Sequence, residues 1–160
     1  MRPAPKILKQ HISYNPATGE LCWIKVFTHR RLHVPIQTQD CYGYIVIKFK
    51  GRMYKGHRIA WAVMKGRWPT KDIDHKDGVP WNNKWENLRQ ATRHQNHANS
   101  KLAKNNQCKL KGVHLRGKKY SAAIKVNKCT LYLGTFETPQ LAHRAYQIAA
   151  KKHFGDFARF

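Results

Sequence analysis

Acidic residues are scarce in this chain. Its 160 residues hold 8 Asp and Glu against 31 Lys and Arg, a formal net charge of +23. Such an excess repels itself in a compact fold and calls for a polyanionic partner, with nucleic acid the first choice. Long apolar runs are lacking as well. None approaches the roughly 20 residues that span a bilayer, and the opening MRPAPKILKQHISYNP has no apolar signal-peptide core. The absence of a long basic amphipathic helix sets a membrane surface aside. A soluble, cytoplasmic protein without a membrane partner is expected. Cys22, Cys41, Cys108 and Cys129 form no CxxC pair, which removes zinc-ribbon spacing and predicts free thiols in a reducing compartment. A zinc knuckle built from scattered Cys and His stays open. What is present, 41% apolar residues, suffices for a folded core in one ordinary domain or two small ones.

The few carboxylates are unevenly placed. Four of the eight, Asp72, Asp74, Asp77 and Glu86, lie in DIDHKDGVPWNNKWENLRQATRHQNHANS, residues 72–100. Basic residues dominate on either side. Two basic wings around a mixed centre suit a metal-dependent nuclease, in which wings neutralise phosphate and a carboxylate centre holds a cation.

The first wing predicts a small β structure and a helix. TGELCWI reads as a turn into a strand, and YIVIKF–KGR–second strand as a hairpin. In HRIAWAVMKG, Ile59, Ala60, Val63 and Met64 share a helical face that Gly66 closes. In the centre, DIDH predicts a short strand ending at His75, KDG a turn, VPWNNKWE a loop and ENLRQA a second strand. Thr92-x-x-Gln95 is a capping box that starts a helix near residue 93. Phosphodiester hydrolysis needs a base near neutral pH, which His supplies, and a cation such as Mg²⁺, which takes one or two carboxylates and fills its other sites with water and phosphate. Asp74 and His75 are strand neighbours, so both reach one site only if the strand ends or bulges there. Arg89 and Arg93 are candidate phosphate contacts, and Asn82 and Asn83 are expected to pin the loop.

The order IDHKDG…NN…ENLRQAT…N over 72–100 resembles the active-site motif of HNH endonucleases, a ββα-metal fold, and GY…I…HRIAW resembles the lead-in of phage and intron-encoded members. The resemblance implies His75 as general base, Asn87 holding the imidazole through its side chain, and Asp74 and Asn96 as ligands of a divalent metal, Mg²⁺ or Mn²⁺. The family name implies His at the last position; His94 or His97 are the alternatives to Asn96.

After the basic linker NSKLAKNNQCKLK come three alternating stretches. Val113 and Leu115, then Tyr120, Ala122, Ile124 and Val126, then Leu131 and Leu133 are expected on one sheet face, with turns at 117–119 and 127–128. A helix follows, with Thr138 as N-cap and Pro139 at its first position; Leu141, Ala142, Ala145, Tyr146, Ala149 and Ala150 form the stripe that covers the sheet. His114, Arg116, Lys119, Lys125 and Tyr132 are left on the bare face, sized for a DNA major groove. GV…R…K…A.I…LYLGTF.T…A..AY..AA over 109–160 resembles the AP2 DNA-binding domain. That resemblance implies that Arg116 contacts a base. Lys125, Tyr132 and His114 replace the usual Arg, Trp and Arg, which puts a GC-rich preference in question.

The expected fold class is α+β: a β-rich lead-in over 1–70 and a ββα-metal motif over 72–100 forming a nuclease domain (1–100), a basic linker (101–110), and an AP2-like three-stranded sheet on one helix (111–160). The expected function is a site-directed endonuclease acting on double-stranded DNA, of the free-standing phage homing type. A monomer would nick; a weak homodimer would break both strands. The rivals are a DNA-binding regulator with an inactive centre and a restriction- or packaging-associated HNH nuclease.

Overall fold

The computed structural model describes residues 2–25, 32–102 and 105–160. Ala103 and Lys104 of the basic linker, and residues 26–31 of the lead-in, lie outside the described residues. The chain is α+β and divides into two compact units, residues 1–91 and 92–160.

In the first unit a short helix α1 (Pro5–Lys9) leads into the antiparallel pair β1 (Ile12–Tyr14) and β2 (Leu21–Trp23). The hairpin of β3 (Val46–Phe49) and β4 (Arg52–Lys55) turns at Lys50 and Gly51, both with positive φ, and runs into α2 (Gly56–Lys65). Gly66, at φ 65°, ends that helix in the left-handed conformation that glycine adopts without steric cost. Then β5 (Asp72–His75) pairs antiparallel with β6 (Leu88–Ala91), with Asp74 opposite Arg89 and His75 opposite Leu88. The strand expected over ENLRQA starts only at Leu88, because Trp85–Asn87 form one turn of 3-10 helix.

Two apolar clusters share α2. Ile59 and Ala62 pack with Leu8, Ile12, Leu21, Trp23, Ile47 and Phe49, while Ala60 and Trp61 pack with Ile73 and Leu88. Burial therefore wraps much of the helix, and His57 and Trp61 are inside it. Met64, assigned to the core by spacing, is exposed.

In the second unit α3 (Arg93–Ala98) starts at the expected capping box: Thr92 Oγ1 accepts from Gln95 N, and Gln95 Oε1 accepts from Thr92 N. Lys111 Nζ donates to the carbonyls of Ala98 and Ser100, 2.6 and 2.8 Å, at the helix's C-terminal end. The sheet has the order β7 (Val113–Arg116), β8 (Lys119–Val126), β9 (Cys129–Phe136). Asn127 and Lys128, both at positive φ, make its two-residue hairpin turn. Helix α4 (Pro139–Phe154) lies on one face, capped by Thr138. Val113, Ala122 and Ala142, and beside them Ile124, Tyr146, Ala149 and Ala150, form this core. A Cβ on Gly112 would fall 2.0 Å from the Tyr146 ring, so the close approach requires glycine there.

Three core assignments fail in this unit. Leu115, Leu131 and Leu141 are exposed. A bulge offsets β8 and β9: Ala122 faces Gly134 and Ala123 faces Tyr132, so Leu133 is the extra residue and strict alternation along β9 breaks. Leu141 lies in the first turn of α4, on the exposed side. No helix among the described residues is long and apolar enough to cross a membrane.

Candidate active site

The site forms at the end of β5. His75 closes the strand, its carbonyl accepts from Gly78 N at 2.8 Å, and Lys76 N donates to Asn87 O at 2.9 Å. As strand neighbours Asp74 and His75 leave in different directions. Asp74, opposite Arg89 in register, accepts from Arg89 Nε at 2.9 Å on Oδ2, and a terminal guanidinium nitrogen lies 2.8 Å from the same oxygen as an ion pair. Arg89, a candidate phosphate contact by sequence, is thus engaged in a buried ion pair.

His75 is only 5% exposed. Its Nε2 lies 3.1 Å from Asn83 Oδ1. A carbonyl oxygen can only accept, so Nε2 carries the hydrogen and the lone pair of the neutral ring is on Nδ1. Burial pushes the His75 pKa down; the Asn83 bond and the Asp77 and Asp74 carboxylates oppose it. The ring is therefore kept neutral, the form a general base needs.

The imidazole's partner is Asn83, and this corrects the expectation for Asn87. Asn87 Nδ2 donates to Asp77 Oδ1 (2.9 Å) and to Asn82 O (2.8 Å), while its Oδ1 accepts from Asp77 N (3.0 Å). Asn87 thus closes the loop that carries Asn83. Asp77 does the same work from the other end, accepting from Val79 N at 2.8 Å and Asn82 Nδ2 at 2.6 Å. Burial would raise the Asp77 pKa, but these donors hold it below the usual carboxylate value.

Asn83 is held from far along the sequence. Its carbonyl accepts from Tyr14 Oη at 2.7 Å. A Cβ on Gly56 would come 3.2 Å from Asn83 Nδ2, and one on Gly19 would come 2.6 Å from the Asn83 carbonyl carbon. The Asn83–Lys84 backbone passes directly over Gly19, and Gly56 leaves room for Leu21, Ile45 and the Asn83 amide together.

Two further groups that sequence reasoning did not assign to the site complete it. The His57 ring lies edge-on to His75 with centroids 5.0 Å apart, and Tyr44 touches both rings. His57 Nδ1 is buried without a hydrogen-bond partner among the described residues. Burial, with the Lys55 and Arg58 charges adding to it, lowers the His57 pKa to about 3. Burial first, then Asp40 and Asp74, raises the Tyr44 pKa, so its hydroxyl stays protonated. The signal that could have found His57 was its place in HRIAW, one residue after a glycine and at the start of the helix.

Asn96, His94, His97 and Arg93 are on α3, in the second unit; Asn96 is half-buried and the others are exposed. Among the described residues no cluster of three or more His, Cys, Asp or Glu could hold a metal, and the four cysteines are free. The Asp74 carboxylate is a hard oxygen donor. A single such donor suits a largely hydrated cation of the Mg²⁺ kind, which takes few protein ligands, and does not suit a closed zinc cage. A cation at Oδ2 would compete with the Arg89 guanidinium.

In the second unit the cross-strand pairs His114–Ser121, Arg116–Lys119, Ala123–Tyr132 and Lys125–Thr130 form the face away from α4. His114, Arg116, Lys119, Lys125 and Tyr132 are all exposed on it. Lys119 pairs with Glu137 at 2.6 Å, a solvent-exposed contact. Tyr132 Oη and Thr135 Oγ1 share a hydrogen bond.

A family model described as HNH endonuclease matches residues 54–98, which take in α2, the β5–loop–β6 unit and α3. The match supports a nuclease. The chain is also 36% identical over 58 residues to an ethylene-responsive transcription factor-like protein of Arabidopsis thaliana, a stretch equal to 36% of this chain and 26% of that protein. The chain thus spans about a quarter of the length of the curated relative it matches. No solved structure matches the chain significantly.

Proposed function

We propose that the chain is a site-directed DNA endonuclease, with a nuclease domain over 1–100 joined by a basic linker to a DNA-reading domain over 111–160. The observation that carries this reading is the buried, neutral His75, whose Nε2–H is fixed on Asn83 so that Nδ1 holds the lone pair. In this reading Nδ1 takes the proton of the attacking water as its oxygen bonds to phosphorus, and the P–O bond to the departing sugar oxygen breaks, that oxygen leaving as an alkoxide that takes a proton from solvent. Asn87 keeps the loop, and through it Asn83 and the ring, in place. Asp74 and Asn96 are the residues that would hold a divalent cation, Mg²⁺ or Mn²⁺, which when bound supplies charge stabilisation for the phosphorane and leaving oxygen. Arg93 would contact phosphate. His114, Arg116, Lys119, Lys125 and Tyr132 would read the DNA, and tethering that reader to the nuclease raises its local concentration at the chosen site. The biology that fits is a phage-type homing endonuclease working in the host cytoplasm, for which a long, imperfect target is expected; a short strict palindrome would point to restriction.

One observation favours a second reading. Asp74 is paired with Arg89 and His75 is recessed, which suits a DNA-binding regulator whose centre does not cut. A supercoiled-plasmid assay with Mg²⁺ or Mn²⁺ separates the two. The nuclease converts supercoiled DNA to open circles, and His75→Ala or EDTA abolishes this; linear product indicates a dimer. A folded chain that binds DNA and cuts no genomic substrate supports the regulator.

A further inference from the structure

Of the chain's five tryptophans, Trp23 and Trp61 are buried and Trp68 and Trp85 half-buried. Each has packing to account for it: Trp23 stacks on Phe49, Trp61 meets Trp85, and Trp68 Nε1 donates to Pro3 O. Trp81 differs. It is 55% exposed, and its side chain makes no hydrogen bond or aromatic contact among the described residues. Its ring rests against Gly43, where an added Cβ would lie 3.8 Å away, and the preceding residue, Tyr42, is 75% exposed.

The place of this surface matters. Trp81 O accepts from the backbone N of Asn83, the residue that holds His75, and Gly43 precedes Tyr44, whose ring touches His75. The two loops that build the site therefore also present its exposed aromatics. Neither loop is slack. Asp77 ties one through Val79, Asn82 and Asn87, and Asp40 ties the other through the backbone N–H groups of Tyr42 and Tyr44. The exposed Lys76 and Lys84 flank Trp81 in sequence, on a chain of net charge +23.

A recessed imidazole poses a geometric problem for a stiff duplex. Local deformation of the DNA would bring the scissile phosphate down to it, and rigidly held apolar side chains that enter a base step are one way proteins impose such a deformation. We propose that Trp81 is a wedge that stacks into a base step of duplex DNA beside the scissile phosphate, opening the step so that the backbone can descend to His75. This rests on the nuclease reading of the first unit.

The test uses the full chain with His75→Ala, closed circular plasmid DNA, EDTA and a topoisomerase that needs no metal. A wedge unwinds DNA, so the relaxed plasmid should lose links in proportion to protein bound. Adding Trp81→Ala should remove most of that change at equal DNA occupancy, while Trp81→Phe should keep it. In the cutting-competent chain Trp81→Ala should slow nicking of intact duplex at least about fivefold, the low end of base–aromatic stacking. A mismatch placed at the mapped cut step should restore the rate. A linking change that is the same with Trp81→Ala overturns the proposal. The topology measurement needs no cutting, so a chain that never nicks in Mg²⁺ sinks the nuclease reading and leaves the wedge to be judged by its own readout.

Discussion

Replacing Asn83 tests whether the His75 imidazole is held as the site requires. Asn83→Ala deletes the oxygen 3.1 Å from Nε2 at a residue only 2% exposed. The lost bond is worth about 1 kcal/mol, and an Nε2–H left buried without a partner costs about 1–3 kcal/mol. Urea unfolding should therefore report a loss of about 1–3 kcal/mol. Asn83→Asp keeps the shape and places a carboxylate against the ring. Burial holds the His75 pKa down and the Asn83 bond opposes that. The alanine variant removes the opposing influence, so the acid limb of the nicking rate should move to lower pH. The aspartate variant adds a negative charge, so the limb should move to higher pH. Plateau rates should fall about 10- to 100-fold in both, the usual size for a group that orients a catalytic one. Two limbs that move in the same direction, or do not move in folded protein, would refute the reasoning.

Three further outcomes are expected. The His57 pKa is about 3 in the fold against an ordinary 6.5, so the unfolded chain binds the extra proton between those values and stability falls with falling pH, by about 2 kcal/mol at pH 5; His57→Phe should flatten that slope in urea titrations at several pH values. Arg89→Ala leaves the Asp74 charge buried alone and should cost about 3–5 kcal/mol, whereas Asp74→Leu with Arg89→Met should recover most of that stability while nicking is lost. Lys125→Ala should weaken DNA binding alike on all sequences and reduce the slope of log affinity against log salt by about 1, whereas Arg116→Ala should also relax sequence preference, both read by titration at several salt concentrations.

Much of the framework was legible because it is local. The β5 strand ends at His75 where KDG turns the chain, and Thr92 and Gln95 cap α3 as their spacing demands. The C-terminal strands follow from alternation until Leu133 bulges out of register. What the sequence hid is long-range. Asn83 looks like one more loop asparagine until Gly19, Gly56 and Tyr14 are seen to hold it. His57 is brought to His75 only when the hairpin and α2 pack. Arg89 meets Asp74 through a cross-strand register that no motif spells out.

The carboxylates of the central segment do different jobs from one another. Their clustering suggests a cation site, yet most are otherwise accounted for. Asp77 is spent on the amides of its own loop, and Asp72, at the start of β5, and Glu86, in the 3-10 turn, are exposed. Asp40, in the first wing, is used in the same way on Tyr42 and Tyr44. Only Asp74 is both buried and beside the imidazole, and Arg89 already balances it. Of the four, Asp77 is there because a short Asx-stabilised loop needs oxygen acceptors for its backbone N–H groups. If Asp74 holds the cation, as proposed, the strength of cation binding should track how readily Arg89 yields Oδ2. Arg89→Lys, whose ammonium lacks the guanidinium's planar fork, should therefore lower the Mg²⁺ concentration needed for half-maximal nicking. An unchanged or raised requirement in a folded variant would mean that Arg89 supports the metal site rather than competing with it.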